Sequence, residues 1–271
     1  MPELPEVETV CKGLSEKILK KKLKELKILN PYLRTKIPVK IESLFLGRHV
    51  KKIIRRGKNG LIFFNCNYVI IFHLGMTGKF KIFLKKPFFE KHDHLFMKFG
   101  KSCYLLFNDI RKFGSIDIMR VPIDIICFRG LGHEPKVINS FANDICTKIR
   151  NSRRNIKNIL LDQSIIAGIG NIYASEILFR SGISPIAKGN NISKKRLERM
   201  IIEVENVLDL AIEKGGSTIK NYSNTEGSLG YFQNNLLVYD REGLSCLICK
   251  NLIIKIKQSG RSSYYCRKCQ R

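Results

Sequence analysis

Acidic residues are scarce in this chain. Its 271 residues hold 23 Asp and Glu against 49 Lys and Arg, a formal net charge of +26. Self-repulsion of that size opposes compaction unless a polyanion binds, which makes nucleic acid the first candidate partner and an anionic membrane surface the second. A Lys-, Ile- and Asn-rich coding bias accounts for part of the lysine, but it does not place arginines in clusters such as Arg55-Arg56 and Arg153-Arg154. Long apolar runs are missing too. None approaches the roughly 20 residues that span a bilayer, and the acidic start MPELPEVETV has no apolar stretch of the secretory type. Internal repeats and low-complexity tracts are absent, and nine cysteines, an odd number, leave at least one without a disulfide partner. Cys11, Cys66, Cys103, Cys127 and Cys146 lie scattered in apolar or mixed segments and read as reduced thiols of a cytosolic protein.

The other four cysteines have metal-ligand spacing. Cys246 and Cys249 are followed, after sixteen residues, by Cys266 and Cys269. C-x2-C…C-x2-C lets two tight turns present four thiolates to one tetrahedral Zn²⁺. Four thiolates leave no open position, so such a zinc is structural and a zinc hydrolase is excluded. Around it, residues 241–271 carry eight Lys/Arg and one acid, Glu242, a surface suited to gripping nucleic acid.

Three textures follow one another along the chain. Val7, Val10, Leu14 and Ile18 recur at helical spacing and predict an amphipathic helix over 6–19. From Lys22 to about Met119 come short β-rich runs (LKELKIL, IESLFL, KKIIRR, LIFFN, YVIIFHLG, KFKIFL, HLFMKFG, SCYLLF, GSIDIM), which predict an antiparallel sandwich or barrel. Beyond Gly130, residues 139–163, 171–180 and 193–214 have helical periodicity, with Ser193 as an N-cap and Gly182 and Pro185 between helices. A Gly/Ser/Asn-rich stretch, 215–230, leads into the cysteine hairpin. The expected fold class is multidomain α+β, with boundaries at 1–130, 131–230 and 231–271.

Chemistry is suggested at the second residue. Removal of Met1 would expose the secondary amine of Pro2. An α-amino group titrates near 7.7–8.0, so part of it is neutral and able to attack an aldehyde-level carbon, forming an iminium. Glu3 and Glu6 are adjacent carboxylates suited to proton transfer.

MPELPEVETV, RRGKNG (55–60), HLGMTG (73–78), KHDH (91–94), FNDIRKFG (107–114), AGIGNIYASEILF (167–179) and QSGRSSYYCRKCQ (258–270) together resemble the bacterial formamidopyrimidine-DNA glycosylases over the whole chain. LPEVET favours that branch over the related endonuclease VIII type, which usually has Gly where this chain has Leu4.

The resemblance implies an N-terminal β-sandwich with its helix, a helix–two-turn–helix DNA-binding domain and a C-terminal zinc-finger hairpin. It implies a base-excision repair enzyme that removes oxidised purines from damaged double-stranded DNA and then cleaves the strand by β,δ-elimination. Pro2 would attack C1′ of a flipped nucleotide, Glu3 would help open the sugar ring, and Lys58 would assist β-elimination and touch a phosphate. Met76, Arg111 and Phe113 would fill the hole left in the duplex. Arg153, Lys157 and Asn171 would hold phosphates, with His92 a further DNA contact. Arg261 would stabilise the departing phosphate, since a guanidinium is a poor proton donor. One motif departs from the family pattern: Asp-Pro-Arg-Arg-Phe-Gly reads Asp109-Ile110-Arg111-Lys112-Phe113-Gly114 here, which predicts a looser turn and weaker phosphate anchoring. Also expected are a monomer, one Zn²⁺ per chain, no small-molecule cofactor, no membrane partner, and a bacterial cytoplasmic location at the nucleoid. Two other readings stay open: an endonuclease VIII-type enzyme for oxidised pyrimidines, and a non-catalytic zinc-ribbon DNA-binding protein.

Overall fold

The computed structural model describes residues 2–121, 128, 130–217 and 231–271. Met1, Cys127 and the 218–230 part of the Gly/Ser/Asn-rich stretch lie outside the described residues. Two compact units emerge: 1–129 with 214–233, and 130–213 with 234–271. The three spans expected from sequence are thus grouped differently. The cysteine hairpin belongs with the helices, and 214–233 belongs with the β-rich unit.

The first unit opens with helix α1 (Leu4–Ile18), whose Val7, Val10, Leu14 and Ile18 enter the core. Two four-stranded antiparallel sheets follow. One has the order β2 (Val50–Arg56), β3 (Asn59–Phe64), β4 (Tyr68–His73), β8 (Ser115–Arg120). The other has the order β1 (Leu23–Ile28), β6 (Asp93–Phe99), β7 (Cys103–Asn108), β5 (Lys79–Phe83). Alternation along β6 and β7 sends Leu95, Met97, Phe99, Leu105 and Phe107 into one core with Phe64, Ile70 and Phe72 from the first sheet. The segment IESLFL, expected as a strand, is instead helix α2 (Ile41–Phe45). Ile41 and Phe45, four apart, are both buried, so helical spacing puts both apolar anchors on one face.

In the second unit the helical run 139–163 is broken. A 3₁₀ turn (Pro135–Phe141) leads to α3 (Ala142–Arg150), and α4 (Ile156–Leu160) is separate. Between them, the carbonyls of Ser152 and Arg154 accept the N–H groups of Asn190 and Gly189, a bonding that a continuous helix would forbid. Helix α5 (Asn171–Arg180) starts where AGIGN predicted. Helix α6 (Lys194–Glu213) follows Ser193 and buries Leu197, Ile201, Val204, Leu208 and Ala211 along one stripe. The chain ends in the hairpin β9 (Ile254–Gln258) and β10 (Arg261–Tyr265). Among the described residues, no helix is long and apolar enough to cross a membrane.

Candidate active site and zinc centre

A reciprocal capping box shapes the chain start. Glu3 is the N-cap of α1, and its side chain accepts from the backbone of Glu6. In return, Glu6 Oε2 accepts the Glu3 N–H at 2.8 Å. Pro5 adds a pre-set φ in the first turn. Pro2, Glu3 and Glu6 are all buried, the two carboxylates only 1 and 2% exposed. Glu6 Oε1 also accepts the Ser217 backbone N–H at 2.8 Å and its hydroxyl at 3.1 Å. With backbone donors on both oxygens, Glu6 is a clamp rather than a free base. It ties the start of the chain to the root of the 217–230 segment, where Tyr231 N–H and Phe232 N–H return to Lys214 and Gly216. Gly216 has φ +80, and an added Cβ would lie 2.9 Å from Glu6 Oε1, so this contact requires glycine.

Lys58 occupies the second position of a two-residue turn between β2 and β3, with Gly57 at φ +58 before it. Its ammonium acts on His73, at the end of β4. Burial first, then Lys58 and Arg34, push the His73 pKa down to about 4. The ring is therefore neutral, and Nδ1 accepts the Gly75 N–H at 2.9 Å, which leaves Nε2–H as a donor. The motif HLGMTG by itself assigns no role to His73. The signal was its place as the first residue of that motif.

Asp109 organises the loops that carry Met76, Arg111 and Phe113. It is fully buried; Oδ1 accepts the Thr77 hydroxyl and the Arg111 N–H, and Oδ2 accepts the Gly114 N–H at 2.7 Å. The Asp109 N–H in turn bonds His92 O at 3.0 Å. Gly75, at φ +60, lies so close to the second loop that a Cβ would sit 2.4 Å from the Phe113 carbonyl carbon. Met76, Arg111 and Phe113 are brought together with their side chains outward, and the guanidinium carbon of Arg111 stands 4.7 Å from the Phe113 ring centre. Where family members have proline, Ile110 is 60% exposed and Lys112 adopts φ +57. Within this turn Asp109 holds the Arg111 and Gly114 N–H groups, with no proline at position 110.

The second unit corrects one expectation. Lys157 is only 1% exposed, and its Nζ donates to Ser262 O and Ser263 Oγ, each at 2.8 Å. A lysine so enclosed is a fastener for β10, not a phosphate ligand. Asn171, the first residue of α5, adds a bond from Nδ2 to the same Ser262 carbonyl at 2.9 Å, while its buried Oδ1 has no partner. Arg261 heads β10 next to that carbonyl, exposed beyond the turn formed by Ser259 (φ +46) and Gly260 (φ +77). Arg153 is exposed. Glu176, unassigned from sequence, is fully buried in α5 and accepts the N–H groups of Leu237, Val238 and Tyr239 at 2.9–3.0 Å. Burial raises its pKa, and the three donors oppose the rise. It anchors the approach to the cysteine module.

The four cysteine sulfurs lie within 4.8 Å of one another. A tetrahedral zinc with Zn–S of about 2.3 Å needs sulfurs about 3.8 Å apart; Cys246 to Cys269 is 3.9 Å and Cys249 to Cys266 is 3.3 Å. Each pair closes a turn, Lys250 N–H to Cys246 O and Gln270 N–H to Cys266 O. The site packs on Phe179 of α5 with Val238, Ile253 and Tyr264. The donors fit a closed structural zinc.

Three family models match in order: the formamidopyrimidine-DNA glycosylase N-terminal domain over residues 1–116, the H2TH domain of the same enzymes over 131–223, and the zinc finger found in FPG and IleRS over 243–271. A β-rich N-terminal domain, a helical H2TH domain and a four-cysteine finger, in this order, define the class as a zinc-finger DNA glycosylase. The relatives make the assignment narrower. The chain is 39% identical over the full length of both chains to the formamidopyrimidine-DNA glycosylase of Wolbachia pipientis from Culex pipiens, and 38% identical to that of Dinoroseobacter shibae, again with both chains fully covered. A structure of Lactococcus lactis Fpg in complex with abasic-site DNA is similar at a TM-score of 0.92, with 33% identity and 99% of each chain covered. The chain belongs to the formamidopyrimidine-DNA glycosylase family, and its finger carries one structural zinc ion.

Proposed function

We propose that this protein is a base-excision repair DNA glycosylase for oxidised purines in duplex DNA, with AP lyase activity through Pro2. The observation that carries the reading is the buried capping box: it fixes Glu3 beside the buried Pro2 and engages Glu6 in doing so. Once Met1 is removed, the Pro2 nitrogen bonds C1′ of the damaged nucleotide while the bond from C1′ to the base breaks. Glu3 gives a proton to the ring oxygen as the sugar opens, and the electron pair on nitrogen completes an iminium. That cation acidifies the 2′ carbon. Loss of its proton expels the 3′ phosphate, and a second elimination expels the 5′ phosphate. Lys58 and the neutral His73 offer adjacent N–H donors for a strand phosphate. Arg261 offers a permanent charge for a departing one. Met76, Arg111 and Phe113 fill the vacated stack, Arg153, Asn171 and His92 serve as DNA contacts, and the zinc, by holding the hairpin, fixes Arg261. The site needs no small-molecule cofactor, and the protein acts as a monomer on DNA at the bacterial nucleoid.

Borohydride trapping on an 8-oxoguanine:cytosine duplex, read by intact mass, is the test. A covalent enzyme–DNA adduct that disappears in Pro2→Gly is expected. No adduct would leave a non-catalytic zinc-ribbon DNA binder, and equal trapping by Pro2→Gly would take the nucleophile's role away from Pro2. Faster excision of thymine glycol than of 8-oxoguanine would move the enzyme to the endonuclease VIII type.

A further inference from the structure

The outer face of the β1–β6–β7–β5 sheet carries aromatic rings and lysines that the lesion chemistry does not use. Strand pairing lays them out in rows. Lys27, Phe96, Leu106 and Lys81 are cross-strand neighbours, and Lys98 lies beside Tyr104 in the next row, its Nζ 5.4 Å from that ring's centre. Across this face runs the connection from β5 to β6, residues 84–92. Phe89 anchors it with its ring centre 5.2 Å from that of the buried Phe96. Its far end is pinned by Asp93, which accepts the Glu90 N–H at 2.8 Å and the Asn108 amide at 2.8 Å. Before these fixed points, on the span that β5 holds at its other end, Phe88 stands 98% exposed and Leu84 77% exposed. A phenylalanine so fully presented on a connection anchored at both ends contributes nothing to the fold.

Charge identifies what fits. The two exposed acids of this face are already paired, Glu25 with Lys27 at 2.9 Å and Glu90 with Lys81 at 2.6 Å. Lys79, Lys85, Lys86, Lys91 and Lys98 remain as a surplus of positive charge on the connection and its two flanking strands. Lys86 and Lys98 both act on Glu25, so the connection's lysines share the sheet's field. An exposed ring flanked by ammonium groups matches one ligand chemistry: an unstacked base joined to a phosphodiester chain. Duplex DNA hides its base faces, and an acidic protein surface would not need the ring. We infer that the outer face of this sheet is a binding surface for single-stranded DNA, with Phe88 stacking on a base and Lys85, Lys86 and Lys98 along the phosphates.

The test uses the full-length protein and a fluorescein-labelled short oligothymidylate, titrated by anisotropy with and without an unlabelled duplex bearing a tetrahydrofuran abasic analogue. Wild type is expected to bind the oligothymidylate in both conditions. Phe88→Ala weakens that binding about fivefold or more, the effect of losing one stacked base. The pair Lys85→Glu and Lys86→Glu lowers the log–log salt slope by about 1.4, two phosphate contacts on a single strand. Neither variant changes single-turnover excision on the lesion duplex. The inference is overturned if the duplex displaces the oligothymidylate completely, or if Phe88→Ala binds it as tightly as wild type. The titration without duplex reads Phe88 whether or not Pro2 forms an adduct, so this inference and the enzymatic proposal fail separately.

Discussion

Lys157 offers the sharpest contrast between two roles for one residue. Replacing it with methionine keeps most of the side-chain volume and removes an ammonium that donates to Ser262 O and Ser263 Oγ at 2.8 Å each. Hydrogen bonds from a charged donor contribute about 1.5–3 kcal/mol each, while deleting a buried charge recovers part of its desolvation cost. Ser262 O keeps the Asn171 amide, so the loss concentrates on Ser263, which is itself fully buried. A net loss of about 2–3 kcal/mol in the second unit follows, equivalent to about 5–10 °C in Tm for a unit of this size. Calorimetry measures that. Since the bonds hold the strand beginning at Arg261, β,δ-elimination products on an abasic duplex should shift towards β alone, read on a denaturing gel. A phosphate ligand predicts something else: an unchanged Tm and a salt slope shallower by about 0.9. An unchanged Tm with that shallower slope would refute the buried-fastener reasoning.

Three other perturbations probe the first unit and the finger. His73 has a folded pKa depressed to about 4 from an ordinary 6.5, so its contribution is complete above 6.5 and lost as pH falls towards 4. Urea unfolding should show a decline of about 2–3 kcal/mol across that window that is missing in His73→Gln; an equal decline in the variant would contradict the assignment. Gly75→Ala forces a Cβ to 2.4 Å from the Phe113 backbone at φ +60. It should cost about 1–3 kcal/mol and slow single-turnover excision, and normal rates would show that the two loops need not touch. Stripping zinc, or Cys249→Ala, should expose the Val238–Ile253–Tyr264 cluster to a hydrophobic dye and weaken DNA binding. Retained affinity after verified zinc loss would argue against the finger as a DNA grip.

Legibility differed between elements for physical reasons. Short β-rich runs bounded by turns, and the Gly-x-Gly start of α5, were readable because their signals are local. IESLFL was not: six residues rich in β-formers fit either period, and burial of Ile41 and Phe45 on one side decided for helix. The break in 139–163 was hidden because it depends on Gly189, where a Cβ would collide with Ile149 O at 2.4 Å. Departure from the family proline at Ile110 suggested a weaker turn. Only the geometry of Asp109 revealed the hydrogen bonds that hold Arg111 and Gly114 there.

By itself the sequence determined the chemistry that depends on spacing and order: four sulfurs for one zinc, a glycine turn presenting Lys58, and a Pro-Glu start followed by a carboxylate three residues on. Such signals involve residues within a few positions of one another, or pairs whose spacing matches a ligand's geometry. Tertiary structure decided which side chains are spent on holding others. Glu6 meets Ser217 across 211 positions, Lys157 meets Ser263 across 106, and Glu176 meets Tyr239 across 63. A buried charge has no local sequence signature, because its solvation is replaced by donors and acceptors that only folding brings near. That is why a lysine written like a phosphate ligand proved to be a fastener, and why a glutamate written like a base proved to be a clamp.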